Sequence, residues 1–284
     1  MLTVRDPGEM AEVALGWRRE GDIVALVPTM GNLHDGHLSL VRLAGKRAGR
    51  TVVSIFVNPS QFGPGEDLDS YPRTPKEDLE RLSALGVDAV FLPGAEDIYP
   101  AGYSTWVEVE GVTEGLCGRY RPGHFRGVAT ICAILFGMVR PHLAVFGRKD
   151  AQQLAVIKRM SRDLRLGVEI VAAPIVREAD GLARSSRNGY LSTEERRQAA
   201  AIHRGLRRAV ALAEQGVTSA CELTGAVAGA VGEESLLRLQ YADLVDPETM
   251  EPMEVLDRPG LLAAAVYAGD TRLIDNVILK PARD

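Results

Sequence analysis

Short apolar runs alternate with amphipathic stretches through the first 175 residues of the chain. Runs rich in β-branched residues are typical of strands buried on both faces, and they predict strands at residues 23–27, 51–57, 89–93, 143–146 and 168–175. Apolar residues at helical spacing predict helices between these runs, at residues 6–20, 36–48, 75–86, 128–139 and around 156–160. Because strands and helices alternate, we expect a parallel sheet with right-handed crossovers.

The pattern changes after residue 191. It predicts long helices at 192–214 and 220–231, and then strand-like segments at 237–245, 261–267 and 273–277. A short alternating stretch at residues 106–109 predicts an edge strand. The fold class we expect is α/β, a Rossmann-like doubly wound parallel sheet with a smaller C-terminal α+β domain. The predicted boundary separates a larger domain, residues 1–176, from a smaller domain, residues 177–284.

Composition narrows the classes of function. The 284 residues include 33 Lys and Arg against 38 Asp and Glu, a net charge of −5. This balance argues against a general nucleic-acid or membrane-surface binder. The first residues lack the pattern of a signal peptide, and no apolar run approaches a membrane span. Cys117, Cys132 and Cys221 show no paired spacing, so we expect reduced thiols in a cytoplasmic protein.

Two histidines lie where the first buried strand gives way to a helix. Residues 28–40 read PTMGNLHDGHLSL, with His34 and His37 just before the helical pattern. Such a junction offers backbone N–H groups and the positive end of a helix dipole to an anion. The three-residue spacing lets both imidazoles donate to one phosphate group. The alternatives are two ordinary surface histidines or a zinc site, although no third ligand follows at a suitable spacing.

Amide side chains follow the next predicted strand. Asn58 and Gln61 come after residues 51–57, where ligands bind in open parallel sheets. Asn58 also fits ordinary turn chemistry because it precedes Pro59. Gln61 both donates and accepts without adding charge, which suits a hydroxy acid.

Charged side chains mark the other predicted loops. Lys149 and Asp150 follow residues 143–146, and a lysine ammonium suits a phosphate that shifts during reaction. Asp150 either caps the next helix or supports a metal-bound phosphate. Gln153 lies one turn further on, where it could reach the same pocket as Gln61. The segment LCGRYRPGHFRG at residues 116–127 suits an anion, and a later loop suits the β- and γ-phosphates of ATP through Ser185, Ser186 and Arg187.

The two histidines also carry a resemblance. Gly36-His37 after His34 resembles the H-x-G-H signature of nucleotidyl transferases, which attack the α-phosphate of ATP. Longer strings resemble the pantothenate synthetase (pantoate–β-alanine ligase) family, and they occur in family order at residues 28–41, 55–62, 121–127, 147–154 and 177–191. The chain is thereby identified as a member of that family.

The resemblance implies condensation of (R)-pantoate with β-alanine through a pantoyl adenylate, with ATP as substrate and Mg²⁺ assisting. It implies catalytic roles for His34, His37 and Lys149 and pantoate binding by Asn58, Gln61 and Gln153. It implies that ATP is bound by Met30, His37, Gly147, Lys149, Asp150, Val176, Ser185, Ser186 and Arg187. No direct protein ligand to a metal is expected. The implied partners are the small-molecule substrates and a second copy in a homodimer, with no nucleic acid and no membrane.

The chain departs from the family pattern at three places. Cys117 stands where the family commonly has Glu, which puts a carboxylate–arginine pair in doubt, and Arg148 and Ala151 replace flanking residues. Two other functions remain open at this point. One is a nucleotidyl transferase similar to phosphopantetheine adenylyltransferase, which should lack the paired glutamines and the second domain. The other is a regulatory nucleotide-binding module without chemistry, against which Lys149 and the serine–arginine loop argue.

Overall fold

A computed structural model describes residues 1–282. The chain forms two compact units. The first unit comprises Met1–Val109, Arg121–Arg148 and Val156–Pro174. The second comprises Glu110–Tyr120, Lys149–Ala155 and the chain from Ile175 onward.

A six-stranded parallel sheet forms the centre of the first unit. Its strands are β1 (Leu2–Val4), β2 (Val24–Thr29), β3 (Arg50–Ile55), β4 (Ala89–Phe91), β5 (Leu143–Gly147) and β6 (Glu169–Ala173). They lie in the order β1-β4-β3-β2-β5-β6, and each adjacent pair is parallel. The α-helices that precede β6 in the sequence are α1 (Pro7–Arg19), α2 (Asp35–Gly45), α3 (Pro75–Ala84), α4 (Ala95–Ile98), α5 (Leu116–Tyr120), α6 (His124–Val139) and α7 (Ala151–Asp163).

Helix α2 buries its apolar face on this sheet. Leu38 and Val41 of the helix share one hydrophobic core with Val27, Val53 and Val145 of the strands. Burying each such side chain contributes about 1.5–3 kcal/mol. The helix start, which carries the two histidines, is therefore fixed to the carboxyl end of β2.

The second unit contains helices packed on an antiparallel sheet. Its helices are α8 (Thr193–Ala199), α9 (Ala201–Glu214) and α10 (Ala220–Gly232), and its strands are β7 (Leu237–Val245), β8 (Gly260–Ala268) and β9 (Thr271–Leu279). The strand order is β7-β8-β9. Leu206 of α9, Leu223 of α10 and Leu262 of β8 belong to one buried core.

The structure confirms the predicted α/β class and corrects several elements. The predicted edge strand at 106–109 is wrong, because these residues form no strand and Val107 N donates to Thr130 Oγ1 instead. The single helix predicted at 192–214 is two helices that meet at Ala200. Helix α6 begins at His124, four residues earlier than predicted, and strand β1 was not predicted.

None of the helices formed by residues 1–282 is long and apolar enough to cross a membrane.

Candidate active site

A buried carboxylate shapes the turn that precedes the two histidines. Asp78 of α3 is 1% exposed and accepts hydrogen bonds from the backbone N–H groups of Asn32 at 2.9 Å and Leu33 at 2.7 Å. Asn32 has φ +49° and Gly31 has φ +84°, so the turn uses backbone conformations that few L-residues adopt. A side chain at Gly31 would approach Ile55 Cγ2 at 3.0 Å and an Asp78 oxygen at 3.1 Å. Contacts with Asp78 and Ile55 in the first unit therefore fix the conformation of this turn.

The two histidines cap helix α2 and stack on each other. Gly36 N donates to His34 Nδ1 at 3.1 Å, and His34 N donates to His37 Nδ1 at 3.4 Å. The ring centroids lie 4.1 Å apart with an interplanar angle of 29°. Because each Nδ1 accepts a backbone N–H, the neutral rings carry their protons on Nε2. Both imidazoles thus present Nε2–H donors at the start of a helix, which suits an anionic group.

Asn58 and Gln61 form one amide network with Met30. The 3₁₀ turn Pro59–Gln61 follows β3, and Asn58 is 1% exposed. Asn58 Nδ2 donates to Gln61 Oε1 at 3.2 Å, and Gln61 Nε2 donates to Met30 Sδ at 3.0 Å. Asn58 Oδ1 accepts from Tyr99 Oη at 2.8 Å. Asn58 is therefore bonded within the protein and orients the half-buried Gln61 side chain.

The first turn of α6 supports the same 3₁₀ turn. Asn58 Nδ2 donates to Gly127 O at 3.1 Å. A Cβ atom at Gly127 would lie 2.4 Å from Ser60 O and 2.7 Å from Gln61 N, which real Cβ contacts do not show. Only glycine lets the helix backbone approach the Gln61 turn this closely.

Substitution of Gly127 by alanine should therefore displace Gln61. We expect Gly127→Ala to raise the KM for the acid that Gln61 is predicted to bind at least about tenfold and to cost about 1–3 kcal/mol of stability by overpacking. Steady-state kinetics and thermal unfolding measure the two effects. Gly137→Ala is the matched control, because nothing lies within 4 Å of a Cβ at Gly137 of the same helix. An unchanged KM in Gly127→Ala would contradict this account.

Arg121 and His124 hold the Gln61 backbone. Arg121 forms a two-point ion pair with Glu66. Its Nε donates to Oε1 at 2.7 Å, and its Nη2 donates to Oε2 at 2.5 Å. Its NH1 lies 3.0 Å from His124 Nε2, and His124 Nδ1 lies 2.8 Å from Gln61 O. Burial opposes ionisation of Glu66, but the hydrogen bonds and charge of Arg121 outweigh it and lower the Glu66 pKa. Arg126 lies over the Trp106 ring, 5.0 Å from its centroid. Arg121 and His124 thus support the Gln61 turn, and the anion-binding role of their segment stays a prediction.

In the second unit, Lys149 and Asp150 lie in the 3₁₀ turn Arg148–Asp150 before α7. Asn276 Nδ2 donates to Lys149 O at 2.9 Å. Gln153 is half-buried on the first turn of α7. Its neighbour Gln152 is 5% exposed and donates to Val112 O at 3.0 Å and Gly115 O at 2.9 Å. The Lys149 carbonyl and the Gln152 side chain are thus both bonded to other segments of the second unit.

The serine–arginine loop follows a short hairpin in the same unit. Ser185 caps the 3₁₀ turn Ser186–Tyr190 by accepting from Arg187 N at 3.3 Å. Arg184 N donates to Val176 O at 2.9 Å, and Asn188 Nδ2 donates to Glu178 Oε1 at 2.9 Å. The turn places two hydroxyls and a guanidinium on consecutive residues, an arrangement that suits phosphate oxygens.

The predicted site residues fall into two sets. Met30, His34, His37, Asn58, Gln61 and Gly147 belong to the first unit, and Lys149, Asp150, Gln153, Val176, Ser185, Ser186 and Arg187 belong to the second. Within the first unit the structure brings His34 to His37, and Gln61 to Met30 and Asn58. Asp78 and Asn276 were not predicted from the sequence. The signal for Asp78 was a charged residue one helical turn before the apolar Leu82 on the helix predicted at 75–86.

Cys117 lies beside Arg272 of β9, whereas the pair implied by the family pattern involved Arg121, which bonds to Glu66. The Cys117 Sγ lies 3.3 Å from Tyr241 Oη and 3.3 Å from Arg272 NH2. Burial raises the pKa of Tyr241, so its phenol stays protonated at neutral pH. The thiol therefore contacts two polar groups, and a hydroxyl in its place can make the same two contacts.

We expect Cys117→Ser to keep kcat within about twofold of the wild type, since a hydroxyl preserves both polar contacts. Steady-state turnover checks this expectation. A collapse of kcat in a variant with wild-type thermal stability would show that the thiol takes part in the reaction.

Metal ligands are sparse in the described chain. Among residues 1–282, no group of three or more His, Cys, Asp or Glu side chains could hold a metal ion. Within this range, a zinc ion at His34 and His37 would lack a third side-chain ligand.

Comparisons with known proteins agree over nearly the whole chain. A sequence model of the Pantoate-beta-alanine ligase family matches residues 2–278. A pantothenate synthetase of Geobacter sulfurreducens is 53% identical over 279 residues, which cover 98% of this chain and 99% of that protein. The crystal structure of a pantothenate synthetase from Thermus thermophilus is 44% identical, with a TM-score of 0.93 over 99% of this chain and 100% of that chain.

A third protein adds ligands to the comparison. A pantoate-beta-alanine ligase from Francisella tularensis, complexed with beta-gamma ATP and beta-alanine, is 30% identical with a TM-score of 0.81. The match covers 98% of this chain and 97% of that chain.

Proposed function

This chain belongs to the pantoate-beta-alanine ligase family, and on that premise we propose how its residues carry out the reaction. The enzyme is an AMP-forming ligase that condenses (R)-pantoate with β-alanine to pantothenate through a pantoyl adenylate. The observation that carries the residue roles is the stacked pair of imidazoles whose Nδ1 atoms both accept from backbone N–H groups.

In the first half-reaction a pantoate carboxylate oxygen attacks the α-phosphorus of ATP in line. A new P–O bond forms while the bond to the bridging oxygen breaks, and pyrophosphate leaves. Negative charge then grows on phosphate oxygens, where fixed donors lower the barrier most. We assign this role to the Nε2–H groups of His34 and His37 in the first unit. In the second unit we assign it to the Lys149 ammonium, a point charge that can follow the phosphate.

Pantoate recognition depends on neutral amides. We assign it to Gln61 and Gln153, with Asn58 acting through its hydrogen bond to Gln61 Oε1. In the second half-reaction the amine of β-alanine attacks the acyl carbon of the adenylate. The C–N bond forms, AMP leaves with the electron pair of the broken C–O bond, and the amine loses a proton to solvent. No covalent enzyme intermediate is needed, so positioning and electrostatics supply the catalysis.

The remaining assigned residues bind ATP. They are Met30 and Gly147 in the first unit and Asp150, Val176, Ser185, Ser186 and Arg187 in the second unit. The polar turns around Lys149 and Ser185 support the assignment.

Mg²⁺ is proposed as the companion ion of the triphosphate. Mg²⁺ binds mainly through substrate phosphates and water with one or two carboxylates. Because substrate phosphates and water can hold the ion, the proposal needs no direct protein ligand, and Asp150 is the side chain proposed to support the metal-bound phosphate. When bound, the ion neutralises phosphate charge.

The oligomeric state, the cellular location and the roles of the two domains are also proposed. We propose a homodimer that acts in the cytoplasm, supported by the family resemblance. We also propose that residues 1–176 act as the catalytic domain and residues 177–284 as the lid.

Pyrophosphate–ATP exchange tests the first half-reaction. We expect labelled pyrophosphate to enter ATP when pantoate is present and β-alanine is absent, because adenylation is reversible before the amine arrives. Exchange that needs pantoate would support both the adenylate and the acid substrate. ATP binding without any exchange would contradict the proposed order of the two half-reactions.

A further inference from the structure

The last strand of the second unit carries two buried polar residues. Asp275 and Asn276 of β9 are 2% and 6% exposed. Their side chains bond to residues that precede them by 98 and 127 positions in the sequence. Buried polar groups of this kind need specific partners, so the identity of the partners is informative.

Asn276 bonds to the backbone of Lys149. Its Nδ2 donates to Lys149 O at 2.9 Å, and its own backbone N donates to Asp275 Oδ1 at 2.8 Å. The bond to Lys149 O fixes the peptide group that follows the Lys149 Cα atom, and the lysine side chain extends from that Cα. Asp275 in turn fixes the backbone of Asn276.

Asp275 also holds the hairpin that leads to the serine–arginine loop. Its oxygens accept from Arg177 at 2.6 and 3.0 Å, and Arg177 NH1 also donates to Gly181 O at 2.9 Å. Arg177 and Ala183 form an isolated antiparallel bridge just before Ser185. One strand position thus supports the segment before Ser185, and the next one supports Lys149.

We propose that Asn276 is a positioning residue for Lys149. The inference rests on the proposed role of Lys149 in adenylation. A lysine ammonium is a point charge on a flexible four-carbon stem, so its reach is set by where the backbone starts. Misplacing a catalytic group by about 1 Å can cost about 10²-fold in rate. The hydrogen bond from the Asn276 amide restricts the Lys149 backbone, and it therefore restricts the position from which the side chain starts.

Asn276→Leu tests this role because leucine has nearly the same shape but cannot donate a hydrogen bond. We expect kcat for pantoate-dependent pyrophosphate exchange to fall about 10- to 100-fold, with the KM values for ATP and pantoate within about threefold. Ile278→Ala is the matched control, since the Ile278 side chain on the same strand is 40% exposed. Its exchange rate should stay within about twofold of the wild type.

A double-mutant cycle with Lys149→Ala separates positioning from general damage to the fold. If Asn276 acts through Lys149, Asn276→Leu changes the exchange rate of the Lys149→Ala enzyme by less than about twofold. Equal fold-losses in both backgrounds would overturn the proposal. Asn276→Ala is measured in parallel, with the Tm of every variant, so that a folding failure of one variant does not decide the result.

The proposed function and the positioning role fail in different ways. A Lys149→Ala enzyme that exchanges at the wild-type rate would overturn the proposed role of Lys149 and the positioning role that rests on it. An impaired Lys149→Ala enzyme beside an unimpaired Asn276→Leu enzyme would overturn the positioning role alone.

Discussion

Lys149→Ala is expected to slow pantoate-dependent pyrophosphate exchange by about 10²- to 10³-fold, the usual loss when one fixed group that stabilises transition-state charge is removed. The ammonium interacts more strongly with phosphate oxygens as charge grows on them, so the loss should fall on kcat and not only on KM. The Tm should change by no more than about 2–4 °C because Lys149 is only half-buried and its backbone bond to Asn276 remains. Exchange kinetics and thermal unfolding measure both quantities.

Arg148→Ala is the matched control for that experiment. Arg148 is the exposed neighbouring cation and departs from the family pattern, so its loss lowers the local charge by the same amount without touching the assigned site. We expect its exchange rate to stay within about threefold of the wild type. Similar losses in both variants would mean that net charge, and not a placed ammonium, explains the effect.

The regular elements were predictable where the apolar pattern was long enough to repeat. The central strands β2, β3 and β5 are buried on both faces, and their runs rich in apolar and β-branched residues indicated this. Strand β1 spans only Leu2–Val4, too short to show a period. The stretch at 106–109 alternates like a strand, but alternation does not supply a partner, and its backbone bonds to a helix side chain.

The break between α8 and α9 had no local signal. Ala200 keeps helical dihedrals, with φ −61° and ψ −16°, and no glycine or proline marks the position. A tertiary contact lies next to the break. Gln198 is 5% exposed, and its Oε1 accepts from Leu236 N at 2.9 Å, which ties the end of α8 to a distant segment. Helical spacing alone therefore predicted one continuous helix.

The candidate site divides in the same way. The H-x-G-H junction, the glutamines and the serine–arginine loop lie in short segments whose residue types indicate their chemistry. Their supports do not, because Asp78 bonds to residues 45 and 46 positions away and Asn276 to one 127 positions away. Such pairs depend on how the chain folds back, which spacing does not encode. Asn58 combines both kinds of contact. Its side chain accepts from Ser60 N within a local turn, and it also donates to Gln61 Oε1, a side chain of the predicted site.

His37 offers the sharpest separation of structure from chemistry. Its Nδ1 accepts from His34 N and so completes the cap of α2, whereas Nε2 is the atom assigned to phosphate. In His37→Asn the amide oxygen can take the place of Nδ1, so the cap survives while the Nε2 donor is lost. We expect this variant to keep a Tm close to that of the wild type and to lose about 10²- to 10³-fold in pantoate-dependent exchange.

His37→Ala completes the comparison because it removes the cap and the donor together. We expect it to lose about as much exchange activity as His37→Asn and, in addition, roughly 0.5–1 kcal/mol of stability measured by urea unfolding. Equal exchange losses with unequal stabilities would assign the rate effect to Nε2 and the stability effect to Nδ1. If His37→Asn retained most of its activity while His37→Ala lost it, the helix cap would be the only role of this histidine. The donor role would then have to pass to His34, whose ring stacks on it at 4.1 Å.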